Sequence, residues 1–225
     1  DPQDARQDLA LFRSRTRHLV FVSTDFVFDP DRRRFPQNDD NPHFLADGSY
    51  GAKKRLCEME FLRAEPGAMS WTIFRPCHIY GPGSLLGCLP AHGRDADLIP
   101  RLRRGEPLRL VGGGHFLQQP IFAPDLAELI LSAADNPRAA GRIYPAAGPE
   151  IIESREFYRL IANRLGVALT IEELPVAAYR AANPDKRSFL CHRIYDLRSL
   201  RDDGLAVPAT SLSEGLRAHV ESLLA

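Results

Sequence analysis

The sequence is short of several things, and each shortage closes off a class of reading. Its 225 residues hold four cysteines, Cys57, Cys77, Cys88 and Cys191, with no C-x-x-C pair and no zinc-ligand spacing. Neither a disulfide scaffold nor a metal site is expected from that pattern. No apolar run approaches the ~18 residues of a membrane span, and the N-terminus lacks the apolar core of a signal peptide. Net charge is also missing, since 29 Lys+Arg balance 29 Asp+Glu. No global field therefore favours nucleic acid or an anionic membrane, and the Arg32-Arg33-Arg34 and Arg101-x-Arg103-Arg104 clusters read as local solvated faces. Internal repeats and low-complexity tracts are absent. A cytoplasmic protein whose partner is a small molecule is the expectation.

What is present is ordinary for a globular chain, 44% hydrophobic and 26% charged, and long enough to bury a substantial core. Residues 3–16 place Ala5, Leu9 and Phe12 amid charge, as an amphipathic helix does. His18 to Val22 is a continuous apolar run and reads as a buried parallel strand, with Ser23 and Thr24 at its carboxyl end. In open α/β sheets that end is where ligands bind. A polar loop, Asp29 to Gly48, leads to a helix over Ser49 to Arg63, ended by Pro66-Gly67. Ser70 to Arg75 is the next strand, with Pro76 stopping its ladder. Farther on, the pattern predicts a short helix over Ala96 to Arg104 interrupted by Pro100, a strand over Leu108 to Val111, and a helix over Pro124 to Ala134. A strand over Arg142 to Ala146, a Ser154-capped helix to Leu165 ended by Gly166, and a strand over Ala168 to Leu174 follow.

The scarcest informative residue is lysine, present only as Lys53, Lys54 and Lys186 in a chain that otherwise uses arginine. Tyr50 and Lys54 are four residues apart, so on a helix they share one face, one turn apart. A phenol with its ordinary pKa near ~10 is a poor acid or base at neutral pH, and a neighbouring ammonium lowers it toward the working range. Lysine suits that task because it is a compact charge with rotatable donors, whereas a guanidinium is a fixed fork.

Three stretches, in order and spacing, resemble a known superfamily: HLVFVSTDFVF from His18 to Phe28, Tyr50-x-x-x-Lys54, and Arg75-Pro76-x-x-Ile79-Tyr80-Gly81-Pro82-Gly83. They are similar to the extended short-chain dehydrogenase/reductase superfamily, which includes the NAD-dependent epimerases and dehydratases. Ile121 to Ala127 and Gly141 to Glu150 continue the likeness over nearly the whole chain. The resemblance implies an α/β fold, the C-terminal part of a doubly wound Rossmann-type parallel sheet lacking its first βαβ units, with a small α+β substrate-binding lobe. It divides the chain into a remainder of the NAD(P)-binding domain, residues 1–76 and 119–147, and a substrate lobe, residues 77–118 and 148–225. NAD or NADP is the implied cofactor. The implied catalytic set is Thr24, Tyr50 and Lys54. Cofactor contacts are expected at Val22, Ser23, Tyr50, Lys54, Pro76, Cys77 and Ile79, and substrate contacts at Thr24, Asp25, Phe26, His78 and Gln118. His78 also reads as a plain loop residue. A homodimer through the Tyr50 helix and its neighbour is likewise implied.

Two departures qualify that picture. No Gly-rich dinucleotide turn occurs in residues 1–17, and Gly112-Gly113-Gly114-His115 does not open an amphipathic helix. The resemblance places the missing turn upstream of Asp1, so the 225 residues alone are expected to bind NAD weakly. Gln118 stands where sugar-nucleotide enzymes of the family carry a phosphate-binding arginine, and a neutral amide cannot make that charge-assisted contact. The reading is an NAD(P)-dependent epimerase, dehydratase or keto-reductase acting on a hydroxyl or keto carbon of a polar metabolite, possibly sugar-derived. The alternative is a non-catalytic nucleotide-binding, RNA-associated or sensor member of the superfamily.

Overall fold

The computed structural model describes residues 1–64 and 69–224. In chain order its helices are α1 Pro2–Phe12, α2 Tyr50–Arg63, α3 Leu98–Arg103, α4 Ala123–Ser132, α5 Ser154–Leu165, α6 Val176–Ala182, α7 Arg198–Asp202 and α8 Leu212–Leu224. The strands are β1 His18–Val22, β2 Ser70–Pro76, β3 Ile79–Tyr80, β4 Leu108–Val111, β5 Leu117–Gln118, β6 Ile121–Phe122, β7 Arg142–Ala146, β8 Ile152–Glu153 and β9 Ile171–Leu174. The chain forms two compact units. The first is Asp1–Cys77, Leu126–Ala146 and Tyr195–Val207; the second is His78–Asp125, Ala147–Ile194 and Pro208–Ala225.

The first unit holds a parallel sheet in the order β1-β2-β7. β2 pairs from Ser70 with His18 to Phe74 with Val22 on one side, and from Thr72 with Arg142 to Pro76 with Ala146 on the other. Flanked on both sides, β2 is buried from Thr72 to Pro76, whereas β1 is only partly buried because it is the edge of this sheet. The expectation of a fully buried first strand is corrected accordingly. The ladder also outruns Pro76: the Cys77 N–H donates to the Ala146 carbonyl at 3.0 Å. Since alternate residues bond to opposite sides, the N–H that proline lacks would face β1, which has already ended at Val22.

Ile73 packs with Ala5 of α1 and with Cys57 and Phe61 of α2, and Phe61 stacks on Phe21 at 4.9 Å. Both helices thus cover one face of the sheet. α2 starts where Ser49 accepts the Ala52 N–H, and it ends at Arg63 with Ala64 as the capping residue; the expected Pro66-Gly67 terminator lies outside the described residues. Its second residue must be glycine. A Cβ on Gly51 would sit 1.9 Å from the Phe26 carbonyl oxygen, so the bare backbone lets the helix start abut the turn Asp25–Val27.

Two boundaries differ from the expected division. Residues 195–207 belong to the first unit, because the Tyr195 hydroxyl donates to Asp25 at 2.5 Å, the Asp196 N–H to Gln37 and the Tyr144 hydroxyl to Asp203. Residues 119–125 belong to the second, because Gln119 donates to the Gly148 carbonyl and Asp125 holds Ala209 and Thr210.

The second unit is α+β, with β4 and β9 parallel and β5 and β8 antiparallel. Leu98 and Leu102 of α3, Leu108 and Leu110 of β4, Phe157 and Ile161 of α5, and Leu212, Leu216 and Val220 of α8 share one core. The α8 residues recur every four positions, one stripe of a helix. Pro100 does not interrupt α3, since it lies in the first turn, where an N–H has no helical partner. Nor does Ser154 cap α5; Glu153 is the capping residue, and Ser154 donates to the Gly114 carbonyl. All four cysteines are buried, and none forms a disulfide among the described residues. Among the described residues no helix is long and apolar enough to cross a membrane, and no cluster of His, Cys, Asp and Glu could hold a metal ion.

Two substitutions test these supports. Asp125 accepts from Ala209 N–H at 3.0 Å, Thr210 N–H at 2.9 Å and the Thr210 hydroxyl at 2.5 Å. Asp125→Ala should lower stability by about 2–3 kcal/mol in denaturant titration and speed amide exchange at both residues. Gly51→Ala should destabilise by about 1–3 kcal/mol, reversing the sign that helix propensity alone gives a glycine-to-alanine change.

Candidate active site

The carboxyl end of β1 and the start of α2 bring the expected residues onto adjoining backbone in the first unit. Tyr50 is the first residue of α2 and is 61% exposed. One turn on, the half-buried Lys54 donates from Nζ to the Val22 carbonyl at 2.8 Å, and its ammonium lies 4.6 Å from the Phe21 ring centroid. Burial pushes the Lys54 pKa below the usual lysine value, against the opposing pull of Cys57 and Glu58. An ammonium has three donors, and one of them is taken up among the described residues.

Thr24 and Ser23 are both buried but serve differently. The Thr24 oxygen accepts the Phe26 N–H at 3.3 Å, capping the turn that Gly51 abuts, and its own proton has no acceptor among the described residues. The Ser23 hydroxyl donates to Glu58 Oε1 at 2.6 Å. The Ser23 hydroxyl is thus turned toward α2, so any cofactor contact at this position would come from its backbone.

Asp25 is 1% exposed, and its carboxylate accepts from Arg33 Nη2 at 3.1 Å and from the Tyr195 hydroxyl, contacts that anchor the loop after β1. Phe26 likewise contributes its carbonyl to the close contact with Gly51. Pro76 lies in the β2–β7 ladder, and Cys77 is buried behind it.

The remaining expected residues belong to the second unit. Ile79 pairs in register with Ile121. His78 bonds through Nε2 to the Gly87 carbonyl at 2.7 Å and meets Phe157 edge-on, so the ring helps hold that loop. Gln118 is fully buried, and neither its amide oxygen nor its amide nitrogen has a hydrogen-bond partner among the described residues. Leaving both ends of a buried amide unpaired costs stability, so Gln118 stands out among the described residues.

The sequence reading missed Glu58, Arg75 and Arg55. Glu58 accepts from Ser23, from Arg75 Nε at 2.9 Å and Nη2 at 2.7 Å, and from Arg55 Nη1 at 2.8 Å. Burial pushes its carboxyl pKa up, but the Arg75 hydrogen bonds and charge, aided by Ser23 and Arg55, hold it below the usual carboxylate value. The signal was available: Glu58 follows Lys54 by four residues, and Arg75 is a charge inside an apolar strand.

The NAD dependent epimerase/dehydratase family matches residues 9–147. A 4-hydroxy-2-methyl-3-oxo-4-farnesyl-3,4-dihydroquinoline-1-oxide ketoreductase from Stigmatella aurantiaca is 25% identical over 173 residues, which cover 75% of this chain and 48% of that protein. UDP-D-apiose/UDP-D-xylose synthase 2 from Arabidopsis thaliana is 31% identical over 111 residues, 45% of this chain and 28% of that one. The chain thus spans half or less of the length of these relatives. Among solved structures, UDP-N-acetylglucosamine 4-epimerase from Methanobrevibacter ruminantium, in complex with UDP-N-acetylmuramic acid, superposes with a TM-score of 0.77 at 18% identity, covering 98% of this chain and 68% of that one. That likeness confirms a Rossmann-type α/β fold. With the parallel sheet and the family match over more than half its length, the chain belongs to the NAD dependent epimerase/dehydratase family of extended short-chain dehydrogenases/reductases.

Proposed function

We propose that the protein is an NAD- or NADP-dependent oxidoreductase that interconverts a hydroxyl and a keto carbon on an uncharged polar metabolite, keto reduction being the favoured direction. The observation that carries this reading is the pairing, at the carboxyl end of one parallel strand, of the Lys54 ammonium and the Thr24 hydroxyl, which keep donors unused among the described residues. The donor set fits a nicotinamide nucleotide: the free Lys54 donors suit the ribose hydroxyls, and the backbone at Val22, Pro76 and Cys77 would contribute the remaining contacts from this unit. When bound, the nicotinamide supplies or takes up the hydride.

The chain's own residues manage the proton. As a carbonyl carbon accepts hydride, charge grows on its oxygen, and Tyr50 gives that oxygen a proton. Thr24 donates a hydrogen bond to the same oxygen and fixes it for transfer. Lys54, positive one helical turn away, stabilises the phenolate that remains. Oxidation runs these roles in reverse, and epimerisation or dehydration requires the same proton transfer at its first step. In the second unit Gln118 offers a neutral donor and acceptor, which suits a hydroxyl, carbonyl or amide and is poorly matched to a diphosphate. That supports the keto-reductase side of the family over the sugar-nucleotide side. The homodimer through α2 and α1 fits the exposed Leu56 and Leu62 of α2 and Leu11 of α1.

The test is hydride transfer from NADH or NADPH to a panel of 3-oxo esters and keto sugars, using the full-length protein. Tyr50→Phe should reduce kcat by about 10²–10⁴-fold while leaving cofactor binding intact. Equal turnover by the two proteins would exclude the mechanism.

A further inference from the structure

Glu58 is the third member of a helical series, with Tyr50, Lys54 and Glu58 each four residues apart along α2. Its side chain is fully buried, and its two oxygens take four hydrogen bonds. Four is about the full acceptor capacity of a carboxylate. The donors come from three elements: Ser23 just past the end of β1, Arg75 near the end of β2, and Arg55 on α2 itself.

The cluster is poorly suited to stability alone. One carboxylate faces two guanidinium groups, and the excess positive charge is met by aromatic faces, with Arg55 3.8 Å from the Phe44 centroid and Arg75 4.9 Å from that of Phe28. Arg75 Nη1 is buried with no partner among the described residues. Buried ion pairs are often matched or exceeded in stability by apolar residues of the same volume, so a cluster of this kind points to a demand for placement.

The placement is visible in the hydrogen bonds. Lys54 reaches the Val22 carbonyl at 2.8 Å, and Glu58, one turn along, receives the hydroxyl of Ser23, the very next residue, at 2.6 Å. These are two rungs between the same helix and the same strand end. We propose that Glu58 is a positioning residue, acting through Ser23 and Arg75 to set α2 over the ends of β1 and β2 so that the Lys54 ammonium is held at the Val22 carbonyl. This rests on the reading of Lys54 given above. Removing the second rung should loosen the first.

With three lysines in the chain, the test can watch Lys54 directly. In the full-length protein labelled with 15N-lysine, with the Lys54 signal assigned by its loss in Lys54→Arg, the Lys54 ammonium protons should exchange with water slowly, and Ser23→Ala should speed that exchange by fivefold or more, with Lys53 and Lys186 unchanged. Ser23→Ala alters no charge, so it decides the matter even if Glu58→Gln fails to fold; where Glu58→Gln folds, it should show the larger effect. Exchange at Lys54 that stays within twofold of the wild type in a folded Ser23→Ala chain, whether or not its melting temperature falls, overturns the proposal. The measurement needs neither cofactor nor substrate. A negative result leaves the chemistry of Tyr50 intact, whereas full activity in Tyr50→Phe would remove that chemistry and leave the positioning role untouched.

Discussion

The first unit depends on the double pairing of β2. A strand hydrogen-bonded on both edges has no freedom to slip, because a shift of one residue would exchange its two faces. Its alternation then decides what meets what. Ile73 and Arg75 share one face; Ile73 packs on Cys57 and Phe61 of α2, and Arg75 meets Glu58 on the same helix. Phe74 occupies the other face and stacks on Tyr144 of β7 at 5.7 Å. The Ser23 N–H donates to the Phe74 carbonyl at 2.7 Å, which carries the register one residue past the end of β1. Ser23 and Arg75 are therefore set by backbone hydrogen bonds before any side chain is considered.

The underside of α2 divides between two adjoining stripes. Cys57 and Phe61 cover Ile73 with apolar surface, while Lys54 and Glu58, on the neighbouring stripe, meet the Val22 carbonyl and Arg75. The apolar stripe lies over the middle of β2 and the charged one toward the carboxyl ends of β1 and β2. Burying charge there is tolerable because both Glu58 oxygens are saturated and its pKa stays below the usual value, so the carboxylate remains ionised at neutral pH. Gly51 has a complementary role at the helix start, where the absence of a side chain permits contact with the turn that Thr24 caps. One end of α2 is placed by a missing atom and its middle by a carboxylate.

Much of this was legible in the sequence, for reasons that differ by element. The apolar run from His18 to Val22, the Ser154 to Leu165 stripe ended by Gly166, and the strands at Leu108 and Arg142 follow from periodicity and punctuation, which are local properties. α6 and α8 went unassigned; Val176–Ala182 is short and carries little amphipathic pattern. The unit boundaries were misplaced because they depend on distant contacts, Tyr195 with Asp25 and Asp125 with Thr210, that no local pattern announces. Asp25 and His78 entered as substrate contacts through the family resemblance, which says nothing of their own partners. Their partners, Arg33 and Tyr195 for one and the Gly87 carbonyl for the other, are supplied by tertiary structure. Glu58 escaped notice for the converse reason: a glutamate on a helix is usually solvated, and only the fold buries this one.

The adjacent hydroxyls of Ser23 and Thr24 illustrate how the strand assigns roles. Thr24 has extended backbone angles, φ −160° and ψ 153°, so the chain continues its strand-like alternation beyond the last ladder residue. Successive side chains of an extended segment point to opposite sides. One hydroxyl of the pair must then face the α2 side, where Ser23 finds Glu58, and the other must face away from it, where the Thr24 proton has no acceptor among the described residues. Two hydroxyl residues in succession at a strand end are thus unequal by geometry: the first is consumed in fixing the helix, and that fixation is what gives the second a defined position from which to donate.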